Sequence, residues 1–283
     1  DQENYTSSLW IAEGFTSYYD DLIVKRCGLM STRDYLDILQ KNIAYTLNAP
    51  GDAIQSIGES GFDAWIKYYR QNENTYNAQV NYYTKGSVLA MLLDLMIITG
   101  SQGAYHLDHV MREAYHTFYV QQDAGYSEDA FRAILEKYCG HDLRAFYADH
   151  VFGTKPVDPR PLLQQVGVQM VISPATDDLA MTGYTLQNGN VISFIRANSA
   201  AAQAGLQVGD EIIAINNYRH NDTLLNILLH SGTAPLHYLV DRKGRLEQYM
   251  LTPGNNNKID VSLELTGEAN TLLAVWLESR NSN

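Results

Sequence analysis

In the first half of the chain, apolar residues recur at three- and four-residue steps. Between Leu9 and Arg26, Ala12, Phe15, Tyr19, Leu22 and Ile23 share one face, as in an amphipathic helix, and Gly28 ends the run. Ser31 or Thr32 then caps a second helix carrying Tyr35, Leu36, Leu39 and Ile43, stopped by Asn48-Ala-Pro-Gly51. A polar loop rich in Asn and Tyr follows, and after it an apolar helix from Ser87 to Thr99, closed by Gly100. Three more helical segments complete this half. The first is marked by Leu107, Val110, Met111, Ala114 and Phe118; the second is capped by Ser127; the third follows Asp142.

The pattern changes at Pro156, Pro159 and Pro161, which read as a stiff linker or domain edge. Beyond them the period is two and β-branched residues dominate: Val166–Ile172, Val191–Ile195, Ile212–Ile215 and His237–Val240. Asp241-Arg-Lys-Gly244 reads as a hairpin turn into a last strand, Leu246–Leu251, and Asn221 or Asp222 caps a short helix, Thr223–Leu229. The expectation is an α+β chain of two domains, helical over 1–155 and β-rich over 156–283. A length of 283 residues fits two domains.

Composition narrows the function. A net charge of −12 with no Lys/Arg cluster repels phosphate backbones and anionic lipid, so nucleic acid and membrane surfaces are not expected partners. The apolar run Gly86–Gly100 contains Asp94 and falls short of the roughly 20 residues that span a bilayer, so it reads as a core helix rather than a membrane insertion. Cys27 and Cys139 are too few for a disulfide framework and read as buried thiols, free to pair only if the fold unites them. Neither compartment nor oligomeric state is legible. The opening DQENYTSS runs straight into the first helix, as if the chain were the C-terminal part of a longer protein.

The chemistry begins at Leu9–Asp21, LWIAEGFTSYYDD, where Glu13 interrupts an apolar and aromatic helix start. Taken alone, Glu13 fits a solvated carboxylate favoured by the helix N-terminus. Trp10, Glu13, Gly14, Thr16, Tyr18 and Tyr19 together, however, resemble the W-x-x-E-G-x-T-x-Y-Y signature of the glycyl aminopeptidase family of gluzincins. That resemblance implies a thermolysin-like catalytic domain in which Glu13 is the third protein ligand of a catalytic Zn²⁺. The other two ligands and the general base would belong to an H-E-x-x-H helix. None of the eight histidines forms that motif, and His106 and His109 stand three apart rather than four. The rest of the zinc site is therefore expected upstream of Asp1. His106, His109 and His116 have near-helical spacing, but no convergent Cys or Glu supports a metal site there.

Asn81-Tyr-Tyr-Thr-Lys-Gly86 resembles the Y-x-K-G element of the same enzymes, whose tyrosine donates to the developing oxyanion. Aligned on Lys85 and Gly86, the resemblance assigns that role to Tyr83, with Tyr82 as the register-slip alternative. Without the family, both tyrosines read as packing residues in a chain with 20 of them.

Asn198–Asn216, NSAAAQAGLQVGDEIIAIN, is similar to the bacterial PDZ pattern S-P-A-x-x-A-G-L-x-x-G-D-x-I-x-x-I-N, with Ala200 in place of the proline. PDZ domains take extended peptide tails by strand addition beside a helix. The resemblance places the loop Gly183, Tyr184, Thr185 and Leu186 before a groove strand that includes Val191 and Ile192. Passive packing against the peptidase is the structural alternative. The closing Ala274-Val-Trp-Leu277 segment resembles the family's terminal helix.

Together these readings imply the C-terminal part of a zinc-dependent aminopeptidase acting on peptides with small, preferentially glycyl, N-termini. Lacking H-E-x-x-H, the chain alone is expected to be inactive. The rival expectation is a non-catalytic PDZ adaptor with a relic peptidase domain, which a degraded H-E-x-x-H would favour. Retention of both Glu13 and Tyr83 weighs against a relic.

Overall fold

The computed structural model describes residues 4–232, 234–254, 257–267 and 269–278. In chain order the helical part runs α1 (Leu9–Arg26), α2 (Thr32–Asn48), a tight turn at Pro50–Ala53, α3 (Ile57–Phe62), α4 (Thr75–Ala78) and α5 (Tyr82–Gly100). It continues with α6 (Leu107–Ala114), α7 (Glu128–Cys139), α8 (Arg144–Phe146) and α9 (Arg160–Gln165). Wide π-type turns, Tyr115–Gln121 and Tyr147–Val151, extend α6 and α8. Next come β1 (Val168–Pro174), α10 (Asp178–Thr182), β2 (Tyr184–Gln187), β3 (Val191–Ile195), α11 (Ala200–Ala204), β4 (Glu211–Ile215) and β5 (Tyr218–Arg219). The chain closes with α12 (Asp222–His230), β6 (Leu236–Arg242), β7 (Arg245–Leu251), β8 (Ile259–Leu265) and α13 (Thr271–Leu277).

These elements form two compact units: residues 1–70, 79–172 and 261–283 in the first, 71–78 and 173–260 in the second. The division does not fall at the proline cluster. Leu163, Val166 and Val168 beyond it are fully buried, and α9 packs on α5, so the chain stays with the first unit as far as 172. β1 then leaves that unit, and β8, paired with it, returns.

In the first unit α5 is the central helix, packed by α1, α2, α7, α9 and α13. It is long and apolar enough to cross a membrane, but most of its surface is buried within the protein. Asp94 lies at its middle with 0% exposure. The Tyr18 hydroxyl donates to its Oδ2 at 2.6 Å, the Leu107 N–H donates to its Oδ1 at 2.7 Å, and the Trp276 indole N–H donates to the Tyr18 oxygen at 2.7 Å. Arg26 donates to the Trp276 carbonyl at 2.9 Å and pairs with Asp108 at 3.0 Å. One polar chain thus ties α1, α5, the start of α6 and α13, and satisfies every group it buries.

In the second unit the sheet order is β2-β3-β4-β6-β7, with β5 paired to β4. Its core joins Tyr184, Ile192, Ile212, Leu225, Leu229, Tyr238 and Val240. Lys243 and Gly244, both with positive φ, make the two-residue β6–β7 turn. Ser199 caps α11, and Gly205, at φ 85°, ends it. The Asp210 carboxylate, 1% exposed, accepts from Gln207 N–H at 2.8 Å and pairs with Arg242 at 2.7 Å, which fixes the turn into β4. The 71–78 segment joins this unit: Asn77 donates to the Ile195 carbonyl at 2.8 Å and accepts from Ala197 N–H at 2.9 Å.

Several boundaries differ from the sequence reading. The polar loop after Asn48 holds α3 and α4, and α5 starts at Tyr82 rather than Ser87 because Asn81 accepts from both Tyr83 N–H and Thr84 N–H. β8 follows the strand taken as last. Cys27 is exposed and unpaired, whereas Cys139 is buried, its thiol pushed up to about 12 chiefly by burial.

Burial raises the Asp94 carboxyl above the ordinary range, and the Tyr18 and Leu107 donors oppose that only in part. A raised folded pKa contributes stability that is present at low pH and lost as pH rises through it. In urea unfolding, wild type should therefore lose ground to Asp94→Asn between pH 4 and pH 7. Asp94→Ala, which orphans two buried donors, should cost about 3 kcal/mol at pH 4 and less at pH 7.

Candidate active site

α1 and α5 cross backbone to backbone. A Cβ added to Gly14 would lie 2.5 Å from Gly86 Cα, and one added to Gly86 would lie 2.8 Å from both Gly14 Cα and Trp10 O. No side chain fits such a gap. The two glycines therefore belong to one contact, and they bring Glu13, beside Gly14, towards the first turn of α5.

Glu13 is half-buried, and among the described residues its carboxylate makes no ion pair or side-chain hydrogen bond. Tyr83 is half-buried too. Burial first, then the hydrogen bond with Tyr69 and the negative charge of Glu13, push its phenol up to about 12. The two sequence-predicted residues thus share one electrostatic neighbourhood. Tyr82, the register alternative, is fully buried, and its hydroxyl donates to Tyr69 at 3.2 Å. Its ring stacks on Tyr83 at 4.7 Å and meets the Tyr68 ring at a tilt of 43° with centroids 4.6 Å apart. Trp65, Tyr68 and Tyr69 thus belong to the site's surroundings, and sequence reading missed them. They lie in the stretch read as loop, where the only signal was the aromatic density of Trp65-Ile-Lys-Tyr-Tyr69.

Among the described residues no three His, Cys, Asp or Glu side chains converge as a metal set. His106 and His109, with rings 4.4 Å apart, cap the start of α6 instead.

Residues 1–89 match the M61 glycyl aminopeptidase family, and residues 157–224 match the PDZ domain. The chain joins an M61 glycyl aminopeptidase segment to a PDZ domain. The crystal structure of an aminopeptidase N family protein from Idiomarina loihiensis superposes over 99% of the chain with a TM-score of 0.89 and 29% identity. The chain spans 50% of that protein's length. A second relative, "Probable protease eep" of Enterococcus faecalis, is 34% identical over 73 residues, 25% of this chain and 17% of that protein.

In the PDZ domain the strand assignment needs correction. Gly183, at φ 83°, ends α10, and Tyr184, Thr185 and Leu186 are not a loop but β2, at the edge of the sheet. Val191 and Ile192 lie one strand inward: Gln187 pairs with Val191, while Ile192 N–H donates to Asp210 O at 2.9 Å and Ile192 O accepts from Gly209 N–H at 2.8 Å. β3 therefore offers no open ladder to an added strand. The cause is the tight turn Asn188-Gly189, both at positive φ, which folds 184–187 back against 191–195. That Asn-Gly pair was the missed signal. Asn221 caps α12 by accepting from Leu224 N–H at 2.8 Å.

In the M61 segment, Gly14→Ala and Gly86→Ala should each cost about 3 kcal/mol or more, because backbone rather than a flexible side chain blocks the new methyl. Thermal denaturation would show it, with Gly28→Ala, whose added Cβ meets nothing within 4 Å, measuring the cost of positive φ alone.

Proposed function

We propose that this chain is the C-terminal part of a zinc-dependent aminopeptidase that removes small N-terminal residues, preferentially glycine, from peptides. The observation that carries the reading is the pairing of an uncommitted carboxylate, Glu13, with a protonated phenol, Tyr83, across the glycine contact of α1 and α5. The preference for glycine rests on the family likeness.

Glu13 suits a zinc ligand: it is a hard anionic donor, half-buried, with no competing partner among the described residues. The two histidines and the general base would come from outside these residues. When bound, the metal supplies Lewis acidity and lowers the pKa of water. Tyr83 donates its O–H to the oxygen that gains charge as the peptide carbonyl is attacked. Its pKa of about 12 keeps it a neutral donor through physiological and mildly alkaline pH, so it should impose no basic limb on activity well below that value. The stacked ring of Tyr82 and the tilted ring of Tyr68, 5.9 Å away, pack against the phenol. In the PDZ domain the free edge of β2 is where a peptide tail would add as a strand, beside α12.

The test is hydrolysis of a glycyl chromogenic substrate by the upstream-extended protein. Glu13→Ala should abolish both bound zinc, measured by metal analysis, and turnover. Tyr83→Phe should keep the zinc and lower kcat by roughly 10²–10³ with KM little changed. Undetectable wild-type activity with zinc supplied, across several N-terminal residues, would instead favour a PDZ adaptor.

A further inference from the structure

Lys85 lies two positions beyond Tyr83 in the first turn of α5. At 3.6 residues per turn its side chain leaves the helix roughly 200° away from Tyr83, so it points away from Glu13 and cannot touch a substrate held there. It is only 3% exposed, and its Nζ sits 3.1 Å from Asp52 Oδ2. A cation in this place is doubly disfavoured, by desolvation and by the positive end of the helix. Asp52 is desolvated as well: burial raises its carboxyl, and Lys85 opposes that. A pair with these costs is a poor source of stability, and the best-attested use of such pairs is to fix register.

The register in question is that of Tyr83. Asp52 belongs to the Pro50–Ala53 turn, whose Gly51 presses on the chain just before α5: a Cβ there would lie 2.3 Å from Gln79 O and 2.6 Å from Gln79 N. Two residues past the turn, Gln55 Oε1 accepts from Val80 N–H at 3.0 Å, and the Ser60 hydroxyl donates to Val80 O at 2.6 Å. Residues 51–60 therefore grip the chain at 79 and 80, ahead of Tyr83, and at 85, behind it. The Asn81 cap and both tyrosines lie between the two grips.

We propose that Lys85 and Asp52 are positioning residues for Tyr83, their buried pair setting the rotation of the first turn of α5 so that the Tyr83 hydroxyl faces Glu13. This rests on the catalytic reading of Tyr83 given above. The pair closes the second of the two grips, and without it the turn is held on one side only.

The experiment compares Lys85→Met, Lys85→Arg, the apolar double variant Asp52→Leu/Lys85→Met and Tyr83→Phe in the upstream-extended protein. It reads thermal stability, kcat and KM on a glycyl chromogenic substrate, and hydrogen exchange at the Tyr83 and Thr84 amides. Lys85→Met should lose stability and activity together, and Lys85→Arg should keep both. The double variant should regain the wild-type melting temperature yet keep kcat roughly tenfold low at unchanged KM, with faster exchange at the two amides. Wild-type kcat and exchange in a stable double variant would overturn the proposal, as would a Lys85→Arg loss as large as that of Lys85→Met. If Tyr83→Phe left kcat intact, the catalytic reading of Tyr83 would fall, whereas the amide exchange would still decide whether the pair sets the turn.

Discussion

The arrangement of the candidate site depends on a contact in which no side chain takes part. Where α1 meets α5, Gly14 and Gly86 bring the two backbones within van der Waals reach, closer than any pair of side chains would permit. At that separation the residues flanking each glycine become neighbours across the crossing. An acid one residue before the first glycine and a phenol three residues before the second then belong to one environment. Both helices are long and pack on each other, and Trp10, Phe15 and Leu22 of α1 and Leu89 and Leu93 of α5 are all buried. The polar chain through Asp94 adds direction, because its hydrogen bonds allow one rotation of α1 about α5.

What the sequence showed follows from how local each signal is. The bounds of α1 emerged from periodicity because that helix has one exposed and one buried side, and its glycine stop lies outside it. The start of α5 did not: Gly86 looks like a break when read locally and is explained only by the partner glycine, 72 positions earlier. The Asn81 cap could have been noticed, being a good N-cap type ahead of an apolar run. α3 and α4 are short and carry too little apolar pattern to separate from a loop.

The same limits apply to the site. Glu13 and Tyr83 became candidates through motifs, since no spacing rule relates residues brought near by a long-range helix crossing. Trp65, Tyr68 and Tyr69 had no motif, and the places of Tyr68 and Tyr69 beside Tyr82, with Trp65 against Tyr69, are tertiary facts. In the PDZ domain the glycine-rich string predicted α11 and β4 closely. The strand that offers a free edge was misplaced because the reading passed over the Asn188-Gly189 turn, although turn chemistry of that kind fixes register.

The two compact units are interleaved along the chain. Residues 71–78 belong with 173–260, while the segment after residue 260 goes back to complete the first unit, ending in α13 with Trp276 at 0% exposure. Neither unit is a continuous stretch of sequence, so neither can be cut out at the proline cluster as a self-sufficient module. The consequence extends to biogenesis. During folding, the core around α5 stays open at the Trp276 position until α13 docks. Closing it then requires contacts between α1 and α13, such as Arg26 with the Trp276 carbonyl 250 positions away, the high-contact-order situation in which folding is slow and unfinished intermediates expose apolar surface. The interleaving of the two units along the chain thus makes the docking of Trp276 a late step in completing the first.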